Sequence, residues 1–474
     1  MNPVFRPLRE LGEAVRAGRL SPVALAETFL ARLEKLGPRY NAVVTVTRER
    51  ALAPARRAEA EIAAGRWRGP LHGIPYGAKD LLATAGGIPT TWGAAPLREQ
   101  RFDFDATVIR RLEEAGAVLV AKLAMVELAG GMGYCQPNAS FTGPGISPWG
   151  PDAWSGGSSS GSGSAVAAGL VPFAIGSETW GSILSPAANC GVTGLRPTYG
   201  RVSRHGAMAL CWTLDKLGPL ALTADDCGLV LDAIAGPDPR DATAADRPFA
   251  YDAASVAGRR FRFGVIRNVA ATAEPAVREA FARSLEVLAK IGTVEDVTLA
   301  DLPYEAVTRM ILLAEAASAF EDMIESGAIA GLTAPEDHFT AYARDTILAK
   351  DYIRAQRLRP LVAREADRAL SGLDALVAPG RPAVASPLDR EFRSAARGNV
   401  ADVMGAIGNA AGLPAIAVPN GFTEAGLPTS LQFMGRAWEE NTVLAAARAW
   451  QSITDHHLQH PKVAAAAGGT SAAG

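Results

Sequence analysis

"GGSSSGSGSAVAAGLVPFAIGSETWGSILSPAANCG", residues 156–191, places serines and glycines on both sides of an apolar run. A flexible linker would account for the first half. It would not account for the return of the pattern around Ser182. Glycine permits backbone that other residues avoid, and a serine hydroxyl both donates and accepts. The run at 165–175 contains Gly169 and Pro172 and is far too short to span a membrane. It is read as a buried strand or helix start that carries the chain from one hydroxyl-rich turn to a second.

Outward from this stretch, strand and helix patterns alternate along the chain. Ser21 and Pro22 open "VALAETFLARLEKLG" with an N-cap and a proline at the first helical position, and the helix stops at Gly37. "AVVTVT" at 42–47 alternates and is β-branched, so it predicts a strand. "RERALAPARRAEAEIAAG" predicts a charged surface helix whose start Pro54 disturbs. "ATVIRRLEEAGAVLVAKL" at 106–123 runs helix, glycine, buried strand, the unit of a sheet covered on both faces. Further strands are expected at 261–267, 373–379, 415–422 and 429–435, with helices between them. The fold class is α/β, one large α/β/α domain over 1–462 with a mixed twisted sheet between helical layers. A mostly helical stretch at about 270–370 reads as an insertion or cap over the site. "AGPDPRDATAADRP" at 235–248 is the one place where a linker is conceivable, and 463–474 reads as a disordered tail.

The bulk numbers narrow the function. The 474 residues carry 47 basic and 49 acidic side chains, a net charge of −2, so nothing favours a phosphate backbone and no nucleic-acid partner is expected. Cys135, Cys190, Cys211 and Cys227 lack metal-site spacing and read as reduced thiols. The first residues have no apolar core of signal-peptide length. A cytoplasmic protein acting on a small molecule is therefore expected, with no membrane association, as a monomer or homodimer.

Three constellations compete for the chemistry. His456 and His460 have the spacing to share a helix face and hold a metal, but no third ligand is near, and a solvated helix end explains them as well. "GSSSG" at 157–161 fits a GxSxG nucleophile elbow centred on Ser159, yet loop, not strand, precedes it. The third constellation joins Lys79 in "GIPYGAKD", read as an apolar turn, to the hydroxyls of "GGSSSGS" and to Ser182. A lysine in apolar surroundings loses its charge more easily, and its free amine can deprotonate serine without histidine. A surface lysine ion-paired beside Asp80 is the plain alternative for Lys79.

The quoted stretch, with "LDKLGPLALTADD" and "GNAAGLPAIAVPNGFTEAGLPTSLQFMGR", resembles the amidase signature family of serine hydrolases, and the resemblance runs from about residue 20 to 455. It implies the amidase signature fold and a Ser–cis-Ser–Lys triad, with Ser182 as nucleophile, Ser158 as bridging serine and Lys79 as base. It implies an oxyanion hole from the backbone N–H groups of Thr179, Trp180, Gly181 and Ser182, an acyl-enzyme intermediate, and no metal or cofactor. Ser159, Ser160, Ser162 and Ser164 remain as structural hydroxyls.

Two positions depart from the family's usual pattern: Trp180 stands where a glycine is usual, and Leu184 where an arginine is usual. An ordinary backbone at Trp180, with its indole lining the pocket, is the expected arrangement. With Gly131, Met132, Gly133 and Tyr134 of the loop at 130–143, Trp180 suggests an apolar pocket for an aryl or acyl group. The implied reaction is hydrolysis of a small amide or carbamate. The alternative is the glutaminase-type component of a tRNA-dependent amidotransferase, although the loop at 130–143 differs from that component's usual form.

Overall fold

The computed structural model describes residues 2–255, 258–392 and 402–462. The expected tail at 463–474 lies outside the described residues. Eleven strands form one sheet: β1 (Val43–Val46), β2 (Pro75–Lys79), β3 (Val118–Leu123), β4 (Phe173–Glu178), β5 (Thr193–Arg196), β6 (Lys216–Ala221), β7 (Phe261–Ile266), β8 (Gly292–Val297), β9 (Ala375–Pro379), β10 (Ala415–Phe422) and β11 (Pro428–Met434). Their order is β1-β3-β2-β4-β6-β5-β10-β11-β9-β7-β8. The sheet is mixed. β2 is parallel to both β3 and β4, and β7 to β8 and β9, while the other pairs are antiparallel. Two large apolar clusters bury the inner strands, and helices cover the sheet.

Local signals explain several elements. Ser21 Oγ accepts from the Ala24 N–H at 3.1 Å and caps the helix Pro22–Leu36. The charged helix Arg48–Ala63 continues through Pro54, which has no N–H to donate to the turn before it. Ala51, Ala55 and Ala58 hold that helix down on its buried side. Thr223 and Asp226 form a reciprocal capping box at the helix Ala224–Ile234.

Other expectations change. Lys79 is not in a turn but is the last residue of strand β2, "PYGAK", every residue of which is buried. Gly77 is needed there because a Cβ would collide with the Leu123 side chain on β3. The stretch at 235–248 separates nothing. Ala235 bridges to Val202, and Asp238 accepts from Thr107 and Ser203, which ties it to the body of the protein. The stretch expected as a helical insertion contributes β8 to the sheet edge. Its helices Tyr304–Ala319 and Ala349–Ala369 pack on each other and on the helix Val403–Ala410. No helix among the described residues is long and apolar enough to cross a membrane.

Candidate active site

Because β2 and β4 run parallel, with Gly77 beside Ala174 and Ala78 beside Ile175, their C-terminal ends emerge together. This puts Lys79 next to Ser177. The chain reaches β4 through the helix Ser160–Ala167, which starts directly after "GGSS". Gly161 of that helix presses on the backbone of Ala42 and Ala124, where a Cβ has no room. The apolar run is therefore half helix end and half strand start, and it folds Ser158 back over the end of β4.

Lys79 is fully buried. Its Nζ lies 2.7 Å from Ser158 Oγ and 2.9 Å from Ser177 Oγ. Burial drives its pKa well below the ordinary lysine value, against the partial opposition of Asp215 and Glu178. The neighbouring Asp80 does not neutralise it, because Asp80 faces Lys122 at 3.0 Å and accepts from Thr91. The surface ion-pair reading of Lys79 therefore fails on both burial and partner.

The peptide between Gly157 and Ser158 is cis, as the resemblance implies. Ser159, the centre of the GxSxG match, is buried, with its Oγ donating to the Ser177 carbonyl and accepting from the Ser177 N–H, both at 3.2 Å. Its backbone N–H donates to the Ser182 carbonyl at 3.2 Å, which joins the two serine turns. Ser162 and Ser164 donate to the carbonyls of Ile175 and Ile146. These hydroxyls support the backbone, and Ser159 is not free to act as a nucleophile.

Ser182 follows Gly181, which sits at φ +81°, a conformation that excludes most side chains. Trp180 has no positive φ, so its backbone is ordinary. The turn 179–182 lies beyond the last ladder pair of β4, Glu178 with Lys216. Glu178 braces it from behind, with one carboxylate oxygen accepting from the N–H groups of Ile183 at 2.9 Å and Leu184 at 3.0 Å. The other oxygen meets Arg196 at 2.9 Å, both side chains fully buried. Leu184, where the family's arginine is usual, is buried, and the ion pair behind the turn is the one between Arg196 and Glu178.

Ser182 is only 7% exposed, and it opens onto a cavity of about 390 Å³. Gly157, Thr179, Trp180 and Tyr134 line the same cavity. Tyr134, Trp154 and Phe392 form an aromatic wall, with Trp154 and Phe392 stacked at 4.4 Å. The Trp180 indole N–H donates to Asp402 at 2.8 Å, which fixes the ring. Arg309 and Arg381 also reach the cavity, so it is not the purely apolar pocket expected. Nor does the whole expected loop line it. Met132 is buried in the core, Gly131 is wedged against Phe320 and Leu210, and Gly133 faces outward, whereas Gly130 and Tyr134 are at the wall.

Sequence reasoning missed Ser177, although it stands five residues before Ser182 in the quoted stretch. Replacing Ser177 by alanine is expected to lower kcat/KM about tenfold and to cost about 1–3 kcal/mol, because a buried amine loses one of two partners. The hydroxyl favours the charged amine, so its loss shifts the ascending pH limb downward. A pH–rate profile and a urea melt check both, and an unmoved limb would mean that Ser177 only fills space.

His456 and His460 do not share a helix face. The helix-like segment His456–Leu458 is a single 3-10 turn, and the His460 ring stacks on Phe5 at 4.0 Å.

Comparison with known proteins gives one consistent result. The family model described as Amidase matches residues 24–444. The A-type subunit of the glutamyl-tRNA(Gln) amidotransferase of Chloroflexus aurantiacus is 39% identical over 476 aligned positions, covering 95% of this chain and 97% of that protein. Among solved structures, native peptide amidase from Stenotrophomonas maltophilia matches with a TM-score of 0.83 at 32% identity, covering 94% of this chain and 96% of that one. A chain from a vestigial protein complex bearing on the origins of an s-triazine catabolic enzyme matches with a TM-score of 0.86 at 30% identity, over 94% and 98%.

Proposed function

This chain belongs to the amidase family and acts on amide carbon–nitrogen bonds, and from that premise we propose that Ser182 is its nucleophile, Ser158 its proton relay and Lys79 its base. The observation that carries this reading is the 2.7 Å contact between Ser158 and a buried Lys79 whose pKa burial drives well below the ordinary lysine value, beside a cavity that Ser182 enters. Lys79 takes the Ser158 proton while Ser158 takes that of Ser182, and Ser182 Oγ bonds to the acyl carbon. The N–H groups of Thr179, Trp180, Gly181 and Ser182 receive the oxyanion, each such donor contributing about 3 kcal/mol. When the tetrahedral species collapses, the C–N bond breaks and the proton returns through Ser158 to the departing nitrogen. Water then cleaves the acyl-enzyme by the same relay, leaving a carboxylic acid and ammonia or an amine. No step draws on a metal or an organic cofactor.

Two substrate readings differ in their support. The whole-length likeness to the amidotransferase component favours an ammonia-releasing, glutaminase-type role, in which the chain works beside partner proteins. The fixed Trp180 indole and the aromatic wall favour a free-standing hydrolase of aryl amides or carbamates. The first is our preferred reading, because the amidotransferase component is 39% identical to this chain, against 32% for the free-standing peptide amidase. The purified chain should release ammonia from glutamine faster than it releases 4-nitroaniline from acetyl-4-nitroanilide. The reverse order would move the assignment to the aryl amide hydrolase.

A further inference from the structure

Two arginines share the Ser182 cavity with no counter-charge among the described residues that line it. Arg381 follows β9 directly, where Gly380 is tied to the Ser430 carbonyl at 2.8 Å. Arg309 projects from the helix Tyr304–Ala319, and its guanidinium lies over the Trp180 ring at 5.5 Å. No described carboxylate forms an ion pair with either arginine. Asp402 and Glu305 are engaged elsewhere. Both Asp402 oxygens are taken, by Trp180 and by the Gly405 N–H, and Glu305 accepts from the Asp402 N–H at 2.7 Å. The Arg381 Nε is buried without a hydrogen-bond partner.

Buried donors are ordinarily satisfied, and two like charges facing one half-enclosed space repel each other until an anion joins them. The guanidinium fork matches a carboxylate in both shape and charge. We propose that Arg309 and Arg381 clamp a carboxylate on the acyl part of the substrate, so that the enzyme selects an amide whose far end is anionic. The Trp180 ring holds Arg309 at the rim, and Arg381 sets the carboxylate deeper, with the amide carbon directed to Ser182. This assignment rests on the reading of Ser182 as nucleophile, and it makes the two arginines specificity determinants of that site. It also gives Trp180 a task that a glycine at its position could not perform.

The test compares glutaric acid monoamide with pentanamide, which is about the same length but uncharged. Calorimetric titration of the full chain carrying Ser182→Ala reads binding without turnover, and kcat/KM of the unmutated chain reads hydrolysis. Glutaric monoamide is expected to bind at least about tenfold more tightly than pentanamide, and Arg381→Gln should erase most of that preference. Arg309→Gln should weaken it less, because Arg309 is exposed at the rim and screened by solvent. Arg381→Lys should restore part of it. Equal binding of the two amides, or a preference that survives Arg381→Gln together with Arg309→Gln, overturns the clamp. Preferential binding of the monoamide with no hydrolysis by the unmutated chain supports the clamp and counts against the catalytic reading. Hydrolysis of pentanamide with no preference for the monoamide does the opposite.

Discussion

Lys79→Met is expected to lower kcat/KM on the order of 10⁴-fold or more while leaving the protein folded, and Ser182→Ala to do the same, because residues of one relay fail together. The contrast between lost activity and retained fold is the informative part. Lys79 is fully buried among β2, β3 and β4, and a methionine of similar length refills its volume without a charge to desolvate. The urea midpoint of Lys79→Met should therefore equal or exceed that of the unmutated chain. The pH dependence follows from the lowered lysine pKa. Activity rises as Lys79 loses its proton, so the ascending limb sits well below the ordinary lysine value of 10.5. Stability carries the same sign. Between the depressed native value and 10.5 the unfolded chain binds a proton that the native protein does not, so stability increases with pH across that window. That slope should vanish in Lys79→Met. A serine-directed phosphonate should label Ser182 in the unmutated chain and fail to do so in the variant. Full hydrolysis by Lys79→Met, or label on Ser159, would remove the relay from consideration.

The second large effect concerns stability. Arg196→Met should destabilise the protein by about 3–5 kcal/mol, because it strands the Glu178 carboxylate in the interior. Burial alone would raise the Glu178 pKa, but Arg196 and Lys216 outweigh it and hold the carboxyl below its ordinary range. Lys216 is itself pushed down to about 7, first by burial and then by the nearby Arg196. The pair contributes stability above the unfolded carboxylate pKa and loses it as pH falls through the lower native value. Because Glu178 also holds the N–H groups of Ile183 and Leu184, the same variant should loosen the Ser182 turn and reduce kcat. Adding Glu178→Gln to Arg196→Met should recover part of the stability, since an amide needs no counter-charge. A urea titration of both single variants and the double variant measures the coupling, and additive losses would show that the two side chains do not act as a pair.

Much of the fold was legible where local chemistry decides it. Ser21 with Pro22 announces a helix, and the β-branched run at 42–47 a strand, because capping and alternation act over a few residues. β2, β5 and β6 were not legible. "PYGAK", "TGLR" and "KLGPLA" carry glycine or proline and little β-propensity, and they become strands because neighbours on both sides pair with them. Apolar residue type suggests a place in the pocket for Met132 as for Tyr134, but the chain turns at Leu128 and Ala129, both at positive φ, and Met132 is buried in the core.

The spacing of "GGSSSGS" and "GSETWGS", together with a lysine in an apolar stretch, pointed by itself to a serine–lysine pair on an α/β scaffold. Those signals are chemical and lie close together along the chain. Only the tertiary structure decided that Ser177 shares the lysine, that Arg196 pairs with Glu178 behind the Ser182 turn, and that Arg309 and Arg381 meet at one cavity. Arg381 is 199 positions from Ser182 and Arg309 is 127 positions away. Contacts at such separations depend on which strands pair and in what register, and no short run of residues encodes that.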